Sequence, residues 1–418
     1  MKILWLSHFV PYPPKGGMLS RSYNLLREVS KYHEIHLVSF VQEKPLLTMF
    51  SSVEHGKNEA KKHLSQFCAN IEFLPIECEK VAFGNYMLAF YSLFSTLPYT
   101  VNWLKSKKMK FLLKKLNIEH EFDLVHFDTI SLAPYAQELN CSKKILNHHN
   151  IESQMMLRRV DNESSWVKKL YFHIEGKKLR KYEKKICEKF SKNITCSPLD
   201  SLRLLDVNSS VSVVDVSNGV DMDYFIPDLS SEECNRLIFI GGLNWYPNRA
   251  AVDFFVTEVW PSIKEMRPDV VMDIVGQDPP QELLSQAKSD GGLRVHGFVD
   301  DIRGYMNRAA VYVCPIDDGG GTKLKVLDAL AMGKALVANP VSCEGIDVVH
   351  GESVFFASTP EEYVKYINML LDSKDLRKKF GAKGVQLIRE KYSYRALGKK
   401  LSSCYLAAHA APEHDFHG

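Results

Sequence analysis

Three consecutive glycines closely followed by two lysines are the most chemically informative feature of this sequence. The stretch reads Gly319-Gly320-Gly321-Thr322-Lys323-Leu324-Lys325 and lies between an apolar run and an amphipathic run. Glycines leave backbone N–H groups unobstructed, and a helix N-terminus flanked by lysines attracts anions. Asp328 follows about one helical turn later, where its carboxylate can accept hydrogen bonds from ribose hydroxyls. The combination suits a nucleoside diphosphate, and a flexible loop that caps a helix is the alternative interpretation.

Two other loops carry residues suited to ligand binding. In Pro14-Lys15-Gly16-Gly17, the glycines would let a phosphate or sugar approach the backbone, and a plain turn is an equal alternative. In Asn147-His148-His149-Asn150, one histidine could donate a hydrogen bond to a sugar or phosphate, or could be structural. Adjacent histidines point in different directions and HExxH spacing is absent, so no metal site is predicted.

These loops all follow short apolar runs, which predict β-strands and alternate with amphipathic, helix-like runs. Such alternation indicates a parallel sheet covered by helices on both faces, with ligands bound beyond the carboxyl ends of the strands. The pattern occurs twice, so two doubly wound α/β units are predicted. Strands are expected at 3–7, 35–40, 71–76, 124–127, 144–147, 237–240, 271–275, 293–296, 311–315 and 335–338. Helices are expected at roughly 20–30, 253–266, 323–331, 360–371 and 394–406, and the tail that ends in 414–418 has no packing pattern.

Length, charge and cysteine content set the broad class of the protein. A chain of 418 residues favours two domains. A formal charge of +3 gives no sign of a nucleic-acid partner. The nine cysteines are odd in number and contain no CxxC pair, which argues against a disulfide framework or zinc ribbon and fits a reducing cytosol. We therefore expect a cytoplasmic protein.

Aromatic and basic segments raise the question of membrane contact. The N-terminus reads as a first strand rather than a signal peptide, and the apolar segment 81–101 is interrupted by Gly84 and Pro98, so no spanning helix is predicted. Segment 103–115 carries six lysines and segment 166–189 carries nine lysines and arginines. Either could lie on an anionic membrane as a peripheral contact, and solvated helix faces explain them equally well.

In order and spacing, these motifs resemble the GT-B glycosyltransferases of the large retaining family called family 4. The resemblance covers almost the whole chain and is most specific in the second half. It rests on 217–221, 239–248, 297–301 and 319–333, together with 14–17, 122–126 and 149–153 in the first half.

The resemblance implies two Rossmann-like domains that face each other across a cleft. Residues 1–222 would form the acceptor-side domain, 223–392 the nucleotide-sugar domain, and 393–418 a helix that crosses back to the first domain, followed by a frayed tail. Transfer would retain the anomeric configuration without a metal or other cofactor. Helix N-termini and basic side chains would stabilise the departing nucleoside diphosphate instead.

Three family positions lack their charged residue in this sequence. Asp328 stands where the second glutamate of the family's ExxxxxxxE pattern binds ribose, but the first glutamate position is Gly320. Many members of the family carry an arginine and a lysine after the strand equivalent to 237–240. In this sequence those two positions are Gly242 and Asn248, and neither residue is cationic. We therefore expect Lys323 and Lys325 to supply the missing charge for the diphosphate.

The remaining site residues also follow from the resemblance. His149 matches a histidine near the transferred sugar and, with Gly320 and Lys325, is assigned to catalysis. Phe298 matches the position that holds the base. Gly16 and Gly17 match the loop near the phosphates and the acceptor. Gly321 and Thr322 join Lys323 in the donor loop.

The predicted function is transfer of a sugar from a UDP- or GDP-type donor to a hydroxyl of a glycan or lipid-linked glycan, in polysaccharide biosynthesis. An epimerase of the same fold is one alternative, although no pair of catalytic carboxylates is evident in the first half. A non-catalytic nucleotide-sugar-binding relative is another, because the first glutamate and the arginine are missing. A phosphorylase would need a pyridoxal phosphate lysine and a longer chain, and a dinucleotide dehydrogenase would need GxGxxG.

Overall fold

The chain forms two compact units. The structure is a computed structural model that describes residues 1–319 and 321–411. The first unit contains Met1–Ser217 together with the last helix from Leu397, and the second contains Asn218–Ala396. Gly320 and the predicted frayed tail 412–418 lie outside the described residues.

Within the described residues, the first unit is built on a seven-stranded parallel sheet of order β3-β2-β1-β4-β5-β6-β7. Most strand residues are apolar and buried, as expected where helices cover both faces. The strands are β1 Lys2–Ser7, β2 Glu34–Val41, β3 Asn70–Pro75, β4 Leu124–Phe127, β5 Lys144–Asn147, β6 Lys192–Thr195 and β7 Val213–Asp215. The helices are α1 Gly17–Val29, α2 Glu43–Leu47, α3 Val53–Leu64, α4 Gly84–Phe94, α5 Tyr99–Trp103, α6 Lys107–Glu119, α7 Glu152–Asn162, α8 Trp166–Ile186 and α9 Pro198–Val207.

The second unit repeats the plan with a six-stranded parallel sheet among its described residues, in the order β10-β9-β8-β11-β12-β13. The strands are β8 Arg236–Ile240, β9 Val271–Val275, β10 Leu293–His296, β11 Val311–Cys314, β12 Ala335–Ala338 and β13 Val354–Phe356. The helices are α10 Tyr246–Phe254, α11 Trp260–Met266, α12 Gln281–Ser289, α13 Arg303–Arg308, α14 Leu324–Ala331, α15 Pro360–Asp372 and α16 Lys374–Leu387. Both sheets confirm the predicted doubly wound fold.

The last helix, α17 (Tyr394–Ala410), completes the first unit from Leu397 onward. Tyr405 is fully buried and its hydroxyl lies 2.9 Å from Nδ1 of His126 in β4. Ser402 Oγ lies 2.7 Å from His33 Nε2. A Cβ on Gly398 would lie only 2.3 Å from Glu28 Cβ in α1, so the two helices touch at a position that only glycine can occupy.

Several sequence expectations differ from the observed elements. The predicted helix 253–266 is interrupted by a π-helical turn at Phe255–Val259, directly before Pro261. Proline has no N–H group for a bond to residue i−4, which explains the break. The basic segment 103–115 is not one helix, because α5 ends at Trp103 and α6 begins at Lys107. Among the described residues, no helix is long and apolar enough to cross a bilayer.

The two sheets reverse strand order at equivalent places. The reversal lies between β1 and β4 in the first unit and between β8 and β11 in the second. Ligands of open α/β sheets bind outside the carboxyl ends of the strands at such points. Functional residues are therefore expected directly after these four strands.

Candidate functional site

In the second unit, the ends of β8 and β11 bring Lys325 against Asn248. Lys325 Nζ donates to Asn248 Oδ1 at 2.5 Å, and Asn248 Nδ2 donates to Gly242 O at 2.7 Å. A Cβ on Gly241 would lie 2.5 Å from Lys325 Nζ, so glycine is required for the ammonium group to reach this place. A lysine from α14 thus puts a positive charge beside the position where the family resemblance expects a lysine.

The glycine loop (319 and 321–323 among the described residues) is organised by Lys323. Gly319 and Gly321 have φ values of 93° and 84°, which side chains with a Cβ rarely adopt. The buried ammonium of Lys323 donates to Gly319 O and, at 3.3 Å, to Gly321 O. Lys323 therefore holds the loop carbonyls, whereas the Lys325 ammonium reaches the end of β8.

Burial shifts the charge states of two groups on the first turns of α14. Burial lowers the pKa of Lys325 to about 8, and neighbouring Lys323 also lowers it, while Cys314 and Asp328 oppose the shift. Burial raises the pKa of Asp328 to about 7, and Lys325 opposes that shift. Near neutral pH both groups are close to their titration points, as is common where proteins bind charged ligands.

The other predicted donor-site residues lie at the same sheet edge or on nearby loops. Thr322 Oγ1 is buried and has no hydrogen-bond partner in the described part of the chain. Phe298 follows β10 and its side chain is 72% exposed. The Lys325 ammonium also lies over the ring of Trp245, 6.0 Å from its centroid, and the sequence analysis did not single out this tryptophan as a site residue. An aromatic residue in the loop after β8 is the signal that could have identified it.

In the first unit, Asp128 directly after β4 is the centre of a buried polar network. Asn147 Nδ2 donates to Asp128 Oδ1 at 3.0 Å, and Ser22 Oγ donates to Oδ2 at 2.8 Å. His149 Nε2 lies 3.2 Å from Oδ1. The sequence analysis did not identify Asp128, although a carboxylate at the end of the strand next to β1 is a signal for this position.

His149 follows β5 and lies at the carboxyl end of this sheet. Its side chain is 7% exposed, its Nε2 lies against Asp128, and its Nδ1 has no hydrogen-bond partner among the described residues. Its ring lies 6.0 Å from the ring of His8 and 6.1 Å from that of Phe9. Buried polar atoms without partners are uncommon, and they often mark positions filled by a water molecule or a ligand.

The charges around His149 are set by burial and by the neighbouring ionisable groups. Burial lowers the pKa of His8 to about 3 and that of His148 to about 4, and His149 contributes to both shifts. Burial alone would raise the pKa of Asp128, but His149 and hydrogen bonds from His126 and His149 hold it below its usual value. The network therefore contains a carboxylate that stays ionised and two histidines that stay neutral near pH 7.

A second buried carboxylate belongs to the same region. Thr129 Oγ1 donates to Glu152 Oε1 at 2.9 Å, and burial raises the pKa of Glu152 while Thr129, Thr100 and His149 oppose the shift. The sequence showed no pair of catalytic carboxylates in this half, but in the structure Asp128 contacts His149 and the charge of His149 also acts on Glu152. Their positions depend on folding of separate segments, which the linear spacing does not reveal.

Gly16 and Gly17 lie at the exposed N-terminus of α1. Gly16 has a φ of 86°, and a Cβ there would have no neighbour within 4 Å. The first turn of α1 therefore presents backbone N–H groups and the positive end of the helix dipole to solvent. The structure places these glycines in the first unit, after β1, as the sequence predicts.

Part of the chain matches a known protein family, and most of the chain is similar to a curated relative. Residues 234–373 match the family described as glycosyl transferases group 1. An uncharacterised 44.6 kDa protein in the cps region of Klebsiella pneumoniae is 24% identical over 374 residues, covering 88% of this chain and 90% of that protein.

Solved structures match the fold over nearly the whole chain. Anabaena Alr3699/HepE in complex with UDP has a TM-score of 0.64 at 14% identity, with 97% of this chain and 100% of that chain covered. Sucrose-phosphate synthase from Thermosynechococcus elongatus has a TM-score of 0.67 at 14% identity, with 99% and 100% covered. The two Rossmann-like units therefore match GT-B glycosyltransferase structures, and the findings together support a glycosyltransferase of the group 1 type.

Proposed function

We propose that this chain transfers a sugar from a nucleotide-diphosphate sugar to a hydroxyl of a glycan or lipid-linked glycan acceptor, with retention of anomeric configuration and without a metal. The observation that carries the proposal is the Lys325 ammonium, held by Asn248 at the point where strand order reverses in the second unit. UDP is the preferred nucleotide, because a structural neighbour of the whole chain binds it.

In the proposed reaction, Lys325 stabilises the negative charge that develops on the departing diphosphate. A fixed cation in a partly buried site acts strongly on such charge, because little solvent screens it. Thr322 Oγ1, which lacks a partner in the described residues, supplies a hydrogen bond to the same group. Asp328 in its ionised form accepts hydrogen bonds from ribose hydroxyls, and Phe298 and Trp245 offer apolar surface to the base or sugar.

His149 is proposed to contact the transferred sugar in the first unit. Its Nδ1, which has no partner among the described residues, can form a hydrogen bond with a sugar hydroxyl. Asp128 fixes the ring from one side through the 3.2 Å contact with Nε2. Gly16 and Gly17 are proposed to bring the N-terminus of α1 towards donor phosphates or acceptor.

A role in polysaccharide biosynthesis at the cytoplasmic side of a membrane completes the proposal. The support is the relative from the cps region of Klebsiella pneumoniae, which this chain matches over most of its length. The exposed aromatic residues of the 81–101 segment favour a lipid-linked acceptor.

The test begins with nucleotide binding. The full chain is titrated with UDP, GDP and ADP by calorimetry, and UDP is expected to bind most tightly in buffer containing EDTA. UDP-sugars are then incubated with lipid-linked or soluble glycan acceptors, and released UDP and the anomeric configuration of the product are measured. Failure of every nucleoside diphosphate to bind would contradict the proposal and favour a non-catalytic relative.

An epimerase is the second candidate, because Asp128 and Glu152 place two carboxylates near His149. An epimerase would change the sugar of the donor when no acceptor is present. Chromatography of UDP-sugars after incubation with enzyme alone distinguishes the two reactions. The proposed transferase leaves the donor sugar unchanged under those conditions.

A further inference from the structure

Helix α4 in the first unit presents a continuous aromatic surface to solvent. The aromatic face consists of Phe83, at the N-cap, and Tyr86, Met87, Phe90, Tyr91 and Phe94, whose exposed fractions run from 56% to 78%. Their spacing of three and four residues places them on one side of the helix. Single exposed apolar residues are ordinary, but a contiguous face of six is typical of an interaction surface.

The start of α4 is fixed in a way that keeps this face outward. Phe83 has a φ of 59°, an uncommon conformation for an aromatic residue, and its side chain is nevertheless 77% exposed. A Cβ on Gly84 would lie 2.0 Å from Cys78 O, so the helix begins in close contact with the preceding turn. Ser92 on the opposite side is fully buried and accepts from Asn102 Nδ2 at 3.1 Å.

The neighbouring helix α8 supplies positive charge beside the aromatic face. Lys178 Nζ of α8 donates to Leu93 O at 3.1 Å, which joins α8 to the end of α4. Both glutamates of α8, Glu175 and Glu183, are buried. Its lysines and arginines are partly or fully exposed at positions 168, 169, 177, 178, 180, 181, 184 and 185. The exposed charge of α8 is therefore strongly positive.

We propose that the aromatic face of α4 docks onto the surface of an anionic lipid bilayer, with the basic residues of α8 facing the lipid headgroups. An 11-residue helix is too short to span a bilayer, so α4 would lie in the interfacial region. Tyrosine and phenylalanine suit this region, because their rings enter the acyl boundary while tyrosine hydroxyls reach water.

A second copy of the chain is a less suitable partner for the same face. Symmetric pairing through α4 would bring two basic α8 helices near each other, and like charges across an interface oppose association. An anionic bilayer instead attracts the same residues, by about fivefold in affinity for each lysine or arginine near the surface. This inference concerns a surface of the first unit and does not depend on the proposed transfer reaction.

Vesicle flotation of the full chain tests the inference. Vesicles of phosphatidylcholine with 30 mol% phosphatidylglycerol (about one anionic lipid in three, enough for a strongly negative surface) are compared with pure phosphatidylcholine. The wild type is expected to float with the anionic vesicles and to bind the neutral ones at least tenfold more weakly. Equal binding to both, or to neither, would overturn the proposal.

Matched variants test whether vesicle binding depends on the aromatic face or on exposed hydrophobic residues in general. The double substitution Phe90→Ser with Phe94→Ser is expected to weaken binding to anionic vesicles by at least tenfold. Phe111→Ser on α6 removes an equally exposed phenylalanine outside the face and is expected to bind like the wild type. Circular dichroism tests whether each variant is folded. If the double variant is not folded, the less severe Tyr86→Ser replaces it.

Charge and self-association are measured on the same samples. Lys168→Glu with Lys169→Glu is expected to weaken binding to anionic vesicles by more than tenfold and to leave the weak binding to neutral vesicles unchanged. Sedimentation without lipid is expected to give the same mass for the wild type and the Phe90→Ser, Phe94→Ser variant. If the wild type is a dimer and the Phe90→Ser, Phe94→Ser variant is a monomer, the face pairs two copies of the chain and the proposal is overturned.

Discussion

The ammonium group of Lys325 lies 2.5 Å from the side-chain oxygen of Asn248, although the two residues are 77 positions apart in the chain. The contact joins the first turn of α10, which follows the loop after β8, to the first turn of α14. It places a cation where the strand order reverses between β8 and β11, although the loop after β8 contains no basic residue. The ammonium of Lys325 therefore lies beside Asn248, whereas that of Lys323 is engaged with the glycine loop.

Substitution of Lys325 by methionine is expected to weaken UDP binding by about 10- to 100-fold, because charge-assisted hydrogen bonds contribute roughly 1.5–3 kcal/mol. Methionine keeps most of the length of the side chain and removes the charge. Calorimetric titration with UDP measures the effect. Lys288→Met, on the exposed surface of α12, serves as the matched control and is expected to bind UDP like the wild type.

The affinity for UDP is expected to depend on pH through the same lysine. Its pKa is lowered to about 8, so the ammonium loses its proton as the pH rises through that value and its attraction for the diphosphate is lost. The dissociation constant should increase as the pH rises above 8. In Lys325→Met this increase should be absent, and an unchanged pH profile in that variant would contradict the assignment.

Asp328→Asn is expected to stabilise the second unit in a pH-dependent way. The pKa of Asp328 is raised to about 7 in the folded chain, so ionisation between pH 4 and pH 7 lowers the free energy of unfolding of the wild type. Asparagine does not ionise, so the variant should gain roughly 1–3 kcal/mol relative to the wild type between these pH values. Urea unfolding at pH 4.5 and 7.5 measures this difference. The same variant should bind UDP more weakly, because the acceptor for the ribose hydroxyls is lost.

Gly319→Ala is expected to disturb the glycine loop. Its φ of 93° is strained for alanine by about 1 kcal/mol or more, and the new Cβ would also lie 3.4 Å from the Trp245 ring. We expect several-fold weaker UDP binding and a small loss of stability. Gly304→Ala, within α13 and with no neighbour within 4 Å of the new Cβ, should instead stabilise the chain by roughly 0.5–1 kcal/mol. Equal effects of the two substitutions would argue against a special loop conformation.

Asp128→Asn is expected to destabilise the first unit most strongly near neutral pH. The carboxylate is buried, accepts hydrogen bonds from Asn147 and Ser22, and has a pKa below its usual value. Its contribution is present above the unfolded pKa of about 4 and is lost as the pH falls towards the folded value. The variant should lose about 2–4 kcal/mol at pH 7 and less at pH 3. Urea unfolding at both values tests this, and a constant difference would contradict it.

Most of the strands, and their order along the chain, could be predicted from the sequence. The apolar runs at 124–127, 144–147 and 271–275 coincide with β4, β5 and β9, because continuous burial leaves a clear local signal. The strands β6, β7 and β13 were missed. In β6, Lys192, Asn193 and Thr195 are polar, and Asn193 is buried through its hydrogen bonds to His148 and Cys187. Such burial depends on tertiary partners and leaves no local pattern.

Only part of the candidate site could be predicted from the sequence. Glycines before a helix led to the prediction of a donor loop, and that role stays a prediction. The structure brings Lys325 and Asn248 together, which neither residue's place in the sequence indicates. The network around Asp128 joins residues from β1, α1, β5 and the segment after β4, so its existence depends on sheet topology. Lys323 shows a further limit, because the sequence indicates a cation in the loop but not which atoms its charge engages.

The return of α17 to the first unit has a consequence for synthesis on the ribosome. The second unit is contiguous in the chain, so all its residues emerge before residues 397–411 of the first unit. Until then, Glu28 has no Gly398 against it and His126 has no Tyr405 hydroxyl. This surface of α1 and β4 therefore stays uncovered while the entire second unit is translated, and surface exposed in this way favours aggregation during folding.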